Sequence, residues 1–426
     1  MIMISKRLPR MPAPHPIKQI ANKLQPAPVD ESYGMQGYSY VLGQDAARHS
    51  TCTDIIASLA QPGVYYAAAH FYRTADGKND SFIQRLDADG NIERSFNFDA
   101  HLTEQSFSPE QVVEDAAGKV LCLGSLYPGN PRASRLWRFN ADGTLDNSFA
   151  GKGYVDGSEL TLGSGFVSQF ISHTDGYLFI GEKDQTLNLA ALDQNGNLKR
   201  DFGNEGFVDL EAIFKYPIVG SPGFAMAALG QQILVTAVAV DVEHDFSLLA
   251  CFNGNGTLDT AFADQGVYTA ENGTYHYDLS VHAASSVITL HGGHTDDYVR
   301  MYPEVLRLTA NGKPLEQFNR GRPVRFDTPG GWNHMQEFEG RLMGWGGFYS
   351  HNRAVCYTLE GALDTQFVSP DGYGELGVDP NSDGFQPVYE ASVAFVPGSH
   401  RLLVAGQNFY ANANSVDASV LAISYK

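Results

Sequence analysis

The chain is short of cysteine, of charge and of long apolar runs, and each shortage removes a class of protein. Four cysteines among 426 residues, Cys52, Cys122, Cys251 and Cys356, lie far apart and form no C-x-x-C pair. That spacing excludes the usual zinc-finger and dithiol readings and suits buried free thiols in a reducing compartment. No stretch approaches the roughly 18 to 20 consecutive apolar residues of a membrane-spanning helix. The start, MIMISKRLPRMPAPHPIKQIANKL, is basic but lacks an apolar run of about 7 to 15 residues, so we expect no secretory signal peptide and a cytoplasmic location. Basic residues are few, 29 against 48 acidic for a net charge of −19, which argues against a nucleic-acid-coating surface. Also missing are G-x-S-x-G, the P-loop and a strand-borne G-x-G-x-x-G, so serine-hydrolase, nucleotide and dinucleotide chemistries lack support, and no cofactor is expected.

What is present is a repeat. A glycine is followed six residues later by phenylalanine in Gly90 to Phe96, Gly143 to Phe149, Gly196 to Phe202, Gly256 to Phe262, Gly312 to Phe318 and Gly361 to Phe367. Five of these six glycines follow Asp or Asn, the pairs that fit a tight hairpin turn with positive φ. Strand-like runs flank each turn: upstream SRLWRF or SLLACF, further upstream a run often ending in glycine such as VLCLG, YLFIG or VITLHGG, and downstream GYVDG or GFVDL. About four strands in roughly 50 residues, repeated around an axis, make a propeller blade.

The ends settle the number of blades. The last unit, RLLVAGQNFY followed by ASVLAISYK, stops before a turn or a fourth strand, while Val29–Tyr38 matches Leu145–Tyr154 with the aromatic and the later glycine in register. Six internal units and one split unit predict an all-β, seven-bladed propeller of four-stranded blades over residues 29–426, its last blade completed by residues 29–42. Residues 1–28, Pro-rich with five basic and no acidic side chains, are expected to form a flexible arm that folds back on the ring.

The units LWRFNADGTLDNSFAGKGYV and LACFNGNGTLDTAFADQGVY resemble the delta-60 repeat of bacterial proteins over nearly the whole chain after residue 29. Lys199 in place of Asp, Pro314 in the fifth turn and the missing glycine after Phe96 depart from that pattern. The resemblance implies a bacterial origin and a propeller-like fold, with no shared reaction.

Individual motifs favour structure over chemistry. DADGNIE at 87–93 looks like the start of a calcium loop, yet its counterparts NADGTLD, DQNGNLK and NGNGTLD keep the turn and not the carboxylates. The repeat phenylalanines are expected to pack between blades, with Asp146, Asp259 and Asp364 accepting turn hydrogen bonds. His291-Gly-Gly-His294-Thr-Asp296-Asp297 has no recognised ligand spacing and is expected to be a solvated loop, so no metal is assigned.

Function is expected on the face that carries the loops after second strands and the connections between blades. To the former we assign His70, Tyr72, Tyr127, Asp184, Asp241, His294, Tyr349 and Tyr410, and to the latter His276, Tyr277, Trp332 and His334. Aromatic area with polar neighbours suits a binding scaffold for a protein partner, in a bacterial effector, toxin or immunity setting. The alternative is a carbohydrate-binding protein, or a hydrolase or lyase, using the axial funnel, with His276, His334, His294, Asp241 and Asp184 foremost.

Overall fold

The computed structural model describes residues 27, 29–36, 38–41, 49–73, 78–98, 101–102, 106–127, 133–160, 167–183, 186–219, 223–241, 244–296, 298–348, 351–367, 371–376, 385–387, 393–396, 398–410 and 415–425. After a short strand β1 (Tyr38–Tyr40), blade 1 runs β2 (His49–Ala57), β3 (Tyr65–Arg73), β4 (Lys78–Leu86) and β5 (Ile92–Asn97). Blade 2 is β6 (Ser106–Glu114), β7 (Val120–Tyr127), β8 (Ala133–Phe139) and β9 (Tyr154–Asp156). Blade 3 is β10 (Val167–His173), β11 (Gly176–Lys183), β12 (Thr186–Asp193) and β13 (Phe207–Asp209), followed by a single-turn helix α1 (Leu210–Phe214). Blade 4 is β14 (Phe224–Leu229), β15 (Gln232–Val240), β16 (Asp245–Phe252) and β17 (Val267–Thr269). Blade 5 is β18 (Thr274–His282), β19 (Val287–His294), β20 (Tyr302–Leu308) and β21 (Val324–Arg325). Blade 6 is β22 (Gly331–Phe338), β23 (Arg341–Phe348), β24 (His351–Thr358) and β25 (Tyr373–Leu376). The last blade is β26 (Phe385–Pro387) and β27 (Val393–Val396), which share the first-strand position, then β28 (Arg401–Tyr410) and β29 (Ser415–Ser424).

Pairing within each of the seven blades is antiparallel. The outer strand of the last blade is β1, with Tyr38 opposite Leu421 and Tyr40 opposite Ser419, so the split-blade expectation holds in register. First strands of successive blades touch one another from β2 to β22, and β2 also meets β27, which places them around the axis.

The repeat motif explains how blades are joined. The aromatics Phe96, Phe149, Phe202, Phe262 and Phe318 each rest on the hairpin glycine of the following blade: a Cβ on Gly196 would sit 2.7 Å from the Phe149 ring, and one on Gly312 2.6 Å from Phe262. Only glycine admits a ring so close to a turn with φ near +80°. The residue after the aromatic then donates its N–H to the carbonyl just before that glycine, as Ala150 does to Asn195, Gly203 to Asn255 and Ala263 to Asn311.

The N-terminal segment reproduces this joint. Tyr33 lies on Gly90, where a Cβ would fall 2.6 Å from the ring, and Gly34 N–H donates to Asp89 O. Arg401 Nε donates to Asp30 Oδ2 at 2.7 Å and its other nitrogens reach Ser32 Oγ and Ala88 O. Within the chain, Arg138 does the same with Asp146 Oδ2 at 3.0 Å, Ser148 Oγ and Gln194 O. Ala27 is buried, and its N–H bonds to Glu375 O in β25.

The expected turn roles also hold. Asp146, Asp259 and Asp364 accept the N–H groups of Ser148, Ala261 and Gln366. Asp87 accepts from Asp89 and Asn91, an Asx turn that employs the carboxylate of the calcium-like motif. All four cysteines are buried and unbridged. Among the described residues no helix is long and apolar enough to cross a membrane.

Candidate functional site

The inner strands carry a bulge that the linear pattern does not reveal. Register shifts between Cys52 and Asp54, Pro109 and Gln111, Val167 and Gln169, His276 and Asp278, and Trp332 and His334 put one extra residue at the same place in five blades. The second-strand glycine accommodates it: a Cβ on Gly292 would lie 1.9 Å from Tyr275 O. The residue after the bulge reaches across to the next blade. Asp54 accepts the N–H of Val112 at 2.8 Å, and Gln111 accepts that of Phe170 at 3.0 Å.

Blade 5 breaks the pattern by placing titratable side chains at equivalent positions. Opposite the post-bulge residue stand Ala68, Leu123, Ile180 and Trp345 in blades 1, 2, 3 and 6, but His291 in blade 5. One residue before the bulge, Cys52, Pro109, Val167 and Trp332 are replaced by His276. Polar groups thus gather on both sides of this blade.

Toward blade 6, Asp278 Oδ2 lies 3.3 Å from His291 Nε2 and 3.2 Å from His334 Nδ1. Asp278 Oδ1 accepts the Leu279 N–H, as Asp54 does that of Ile55. His291 is wholly buried, and its Nε2 accepts the Met335 N–H at 3.2 Å. Burial pushes the Asp278 carboxyl up, but His291 and His334 outweigh it and hold the group well below the usual carboxylate range. Burial lowers His291, against the pull of Asp278.

On the other side of the blade, Glu304 is buried and bound by Arg325 Nε at 2.7 Å, with Glu271 also on Arg325. His276 is buried with Nε2 3.4 Å from Glu304 Oε1, and neither ring nitrogen makes a hydrogen bond. His294 shares Nδ1 with Thr274 Oγ1 at 2.9 Å and Nε2 with Asp296 Oδ1 at 3.0 Å.

Several sequence expectations need correction here. His276 and Tyr277 lie in β18, and Trp332 and His334 in β22, because the connections end early, at Gly273 and Gly330, and the innermost strands begin directly after them. Trp332 is a core residue, fully buried with ring centroids 5.5 Å from Phe326 and 6.2 Å from Tyr357. His291 and His294 belong to a strand and are buried, so the expected solvated loop starts only after them. Three residues apart in a strand, they face opposite sides and cannot share a ligand.

The other candidates do not join this cluster. His70 and Tyr72 lie within β3 and not, as expected, in the loop after it, because the strand runs on to Arg73; Tyr72 is exposed and His70 is pushed down to about 4 by burial. Tyr127 ends β7. Asp241 is where expected, after β15, accepting the His244 N–H at 2.6 Å. Asp184, Tyr349 and the side chain of Tyr410 lie outside the described residues. Sequence reasoning passed over Asp278 and Glu304, and it passed over Tyr216, Tyr298 and Val299, exposed on the loop face. One signal was available: aligning VLCLG with ITLHGG sets His291 against Leu123.

A ring of seven four-stranded blades makes this a β-propeller repeat protein. A family model described as a domain of unknown function (DUF5122) β-propeller matches residues 63–96 and 118–149. No curated protein matches. Among solved structures, the β-propeller domain of the Trilobed protease from Pyrococcus furiosus aligns at TM-score 0.51 and 8% identity, covering 89% of this chain and 95% of that one. Sqt1 from Chaetomium thermophilum aligns at 0.50 and 10%, covering 94% and 99%. An acylaminoacyl peptidase aligns at 0.51 and 8%, covering 89% of this chain, which spans only 52% of that enzyme. These similarities concern the fold. The Pyrococcus domain is described as having an open velcro topology, whereas here β1 pairs with β29 across the joint.

Proposed function

We propose that this propeller is a non-enzymatic binding scaffold that engages a protein partner through the face bearing its second-strand loops and inter-blade connections. The observation that carries this reading is an exposed aromatic and apolar group on that face. Tyr298 and Val299, in the loop after β19, are 46% and 61% exposed, and Tyr216, in the connection after α1, is 38% exposed. The Tyr298 hydroxyl lies 3.3 Å from His244 Nδ1, so the polar tip is oriented while the ring stays open to contact. Rigid aromatics with a polar handle are what interface anchors use, since they supply area at small entropic cost. The delta-60-like pattern supports a bacterial source, and the buried thiols suit a reducing cytoplasm, where an effector, toxin or immunity role would be exercised.

The test compares affinity capture by wild type, by Tyr298→Ala combined with Val299→Ser, and by Leu59→Ser on the opposite face. A partner kept by wild type and Leu59→Ser but lost from the double variant is expected. Equal capture by all three overturns the reading.

A second reading, a glycan-binding protein or glycan-directed enzyme working at the axial funnel, is favoured by one observation, the histidine and carboxylate groups of blade 5. Turnover of a glycoside and lactone panel that is abolished by His276→Ala would promote it.

A further inference from the structure

We propose that Asp278, His291 and His334 form a binding site for a divalent transition-metal ion of the zinc class at the seam between blades 5 and 6. The proposal stands apart from the partner-binding face. Its basis is the geometry of the donor atoms, the histidine at 291 where blades 1, 2, 3 and 6 carry apolar residues, and the conflict of groups around His291 Nε2.

Around a tetrahedral ion with bonds of about 2.0 to 2.2 Å, ligand atoms stand roughly 3.3 to 3.6 Å apart. The separations of Asp278 Oδ2 from His291 Nε2 and His334 Nδ1, 3.3 and 3.2 Å, lie at and just below the short end of that range, and all three atoms lie within 4.8 Å of one another. Two imidazoles and one carboxylate are borderline ligands that suit zinc, cobalt or iron better than calcium or magnesium.

The local hydrogen bonding is inconsistent for a neutral His291 without a cation. If its proton is on Nδ1, the Nε2 lone pair faces the Asp278 carboxylate. If the proton is on Nε2, it confronts the Met335 N–H, which points at the same atom. A cation between the three donors takes the Nε2 lone pair and removes the repulsion with Asp278. The Met335 N–H would then turn to Asp278, by analogy with the N–H groups of Val112 and Phe170, which are accepted by Asp54 and Gln111. The Asp278 and His334 side chains are 25% and 16% exposed on innermost strands, which leaves a fourth coordination position for water or an oxygen ligand. The neighbouring group of Glu271, His294 and Glu304 is a poorer site, because Arg325 already neutralises Glu304.

The repeat supplies a variant that preserves the fold. His334→Gln installs the residue found at the same bulge position in blades 2 and 3, Gln111 and Gln169, and its amide can still donate to Asp278. The untagged full chain is stripped with EDTA and titrated with Co²⁺, then with Zn²⁺. One Co²⁺ per chain with tetrahedral visible absorption, displaced by Zn²⁺, is expected for wild type and for His294→Gln. His334→Gln is expected to keep the wild-type unfolding curve and to bind more than about 100-fold more weakly, beyond the usual cost of losing only a supporting partner. Absence of stoichiometric binding to wild type, equal binding to His334→Gln, or equal loss in His294→Gln overturns the assignment.

Discussion

A single hydrogen atom's worth of space decides whether two blades can meet. Gly196 and Gly230 both have positive φ, +86° and +62°, but only Gly196 carries a neighbour's ring, while a Cβ on Gly230 would meet nothing within 4 Å. Gly230→Ala is therefore expected to cost about 1 kcal/mol from backbone conformation alone, and Gly196→Ala a further 1–3 kcal/mol from displacing Phe149. Urea unfolding of the two variants measures the difference. Asp146 adds a pH dependence at the same joint. Burial pushes its carboxyl up, but Ser148, Lys119 and Arg138 prevail and bring it to about 2, against 3.8 ordinarily. A carboxyl depressed by folding contributes stability above its unfolded pKa, here roughly 2 kcal/mol, and that contribution fades as pH falls from about 4 toward 2. Asp146→Asn should be less stable than wild type at pH 7 by about this amount, with the gap narrowing below pH 4.

At the scale of the strand, the bulged inner edge is the device that the sequence conceals. The glycine-to-aromatic spacing was legible because turn and ring recur at a fixed offset within each unit. The contacts of the blade 5 cluster are not of that kind: Asp278 meets His334 56 residues away, and His291 meets Met335 at a distance of 44. A bulge shifts the two-residue alternation by one, so the face of a residue beyond it cannot be read from its neighbours, while Trp332 and His294 were assigned to loops because their strands extend further than the pattern suggests. The latch itself can be measured. Asp54→Ala removes the acceptor of two buried N–H groups, Ile55 and Val112, and is expected to cost about 2–4 kcal/mol in denaturant unfolding. Asp54→Gln, which copies blades 2 and 3, should recover part of that loss.

For the whole ring, closure was the most legible property, because the two incomplete ends complement each other and no competing pairing satisfies both. Tyr33 and Val41 are fully buried beside Ala418 and Val420 of β29, so removing residues 1–41 takes away core as well as a strand. Among the described residues the N-terminal contacts begin at Ala27; deleting 1–26 should leave the melting temperature nearly unchanged. Deleting 1–41 should lower it sharply, since several kcal/mol is a large share of the ~5 to 15 kcal/mol that holds a domain together. Equal melting of the two truncations would contradict the joint described above. The Arg401 to Asp30 pair spans 371 positions of chain, and this has a consequence for biosynthesis. At about 5–20 residues per second, a ribosome needs roughly 20 to 75 s after making Asp30 before Arg401 exists. For all that time β1 lacks the β29 strand it pairs with in the finished ring, and the growing arc of finished blades waits for its own beginning.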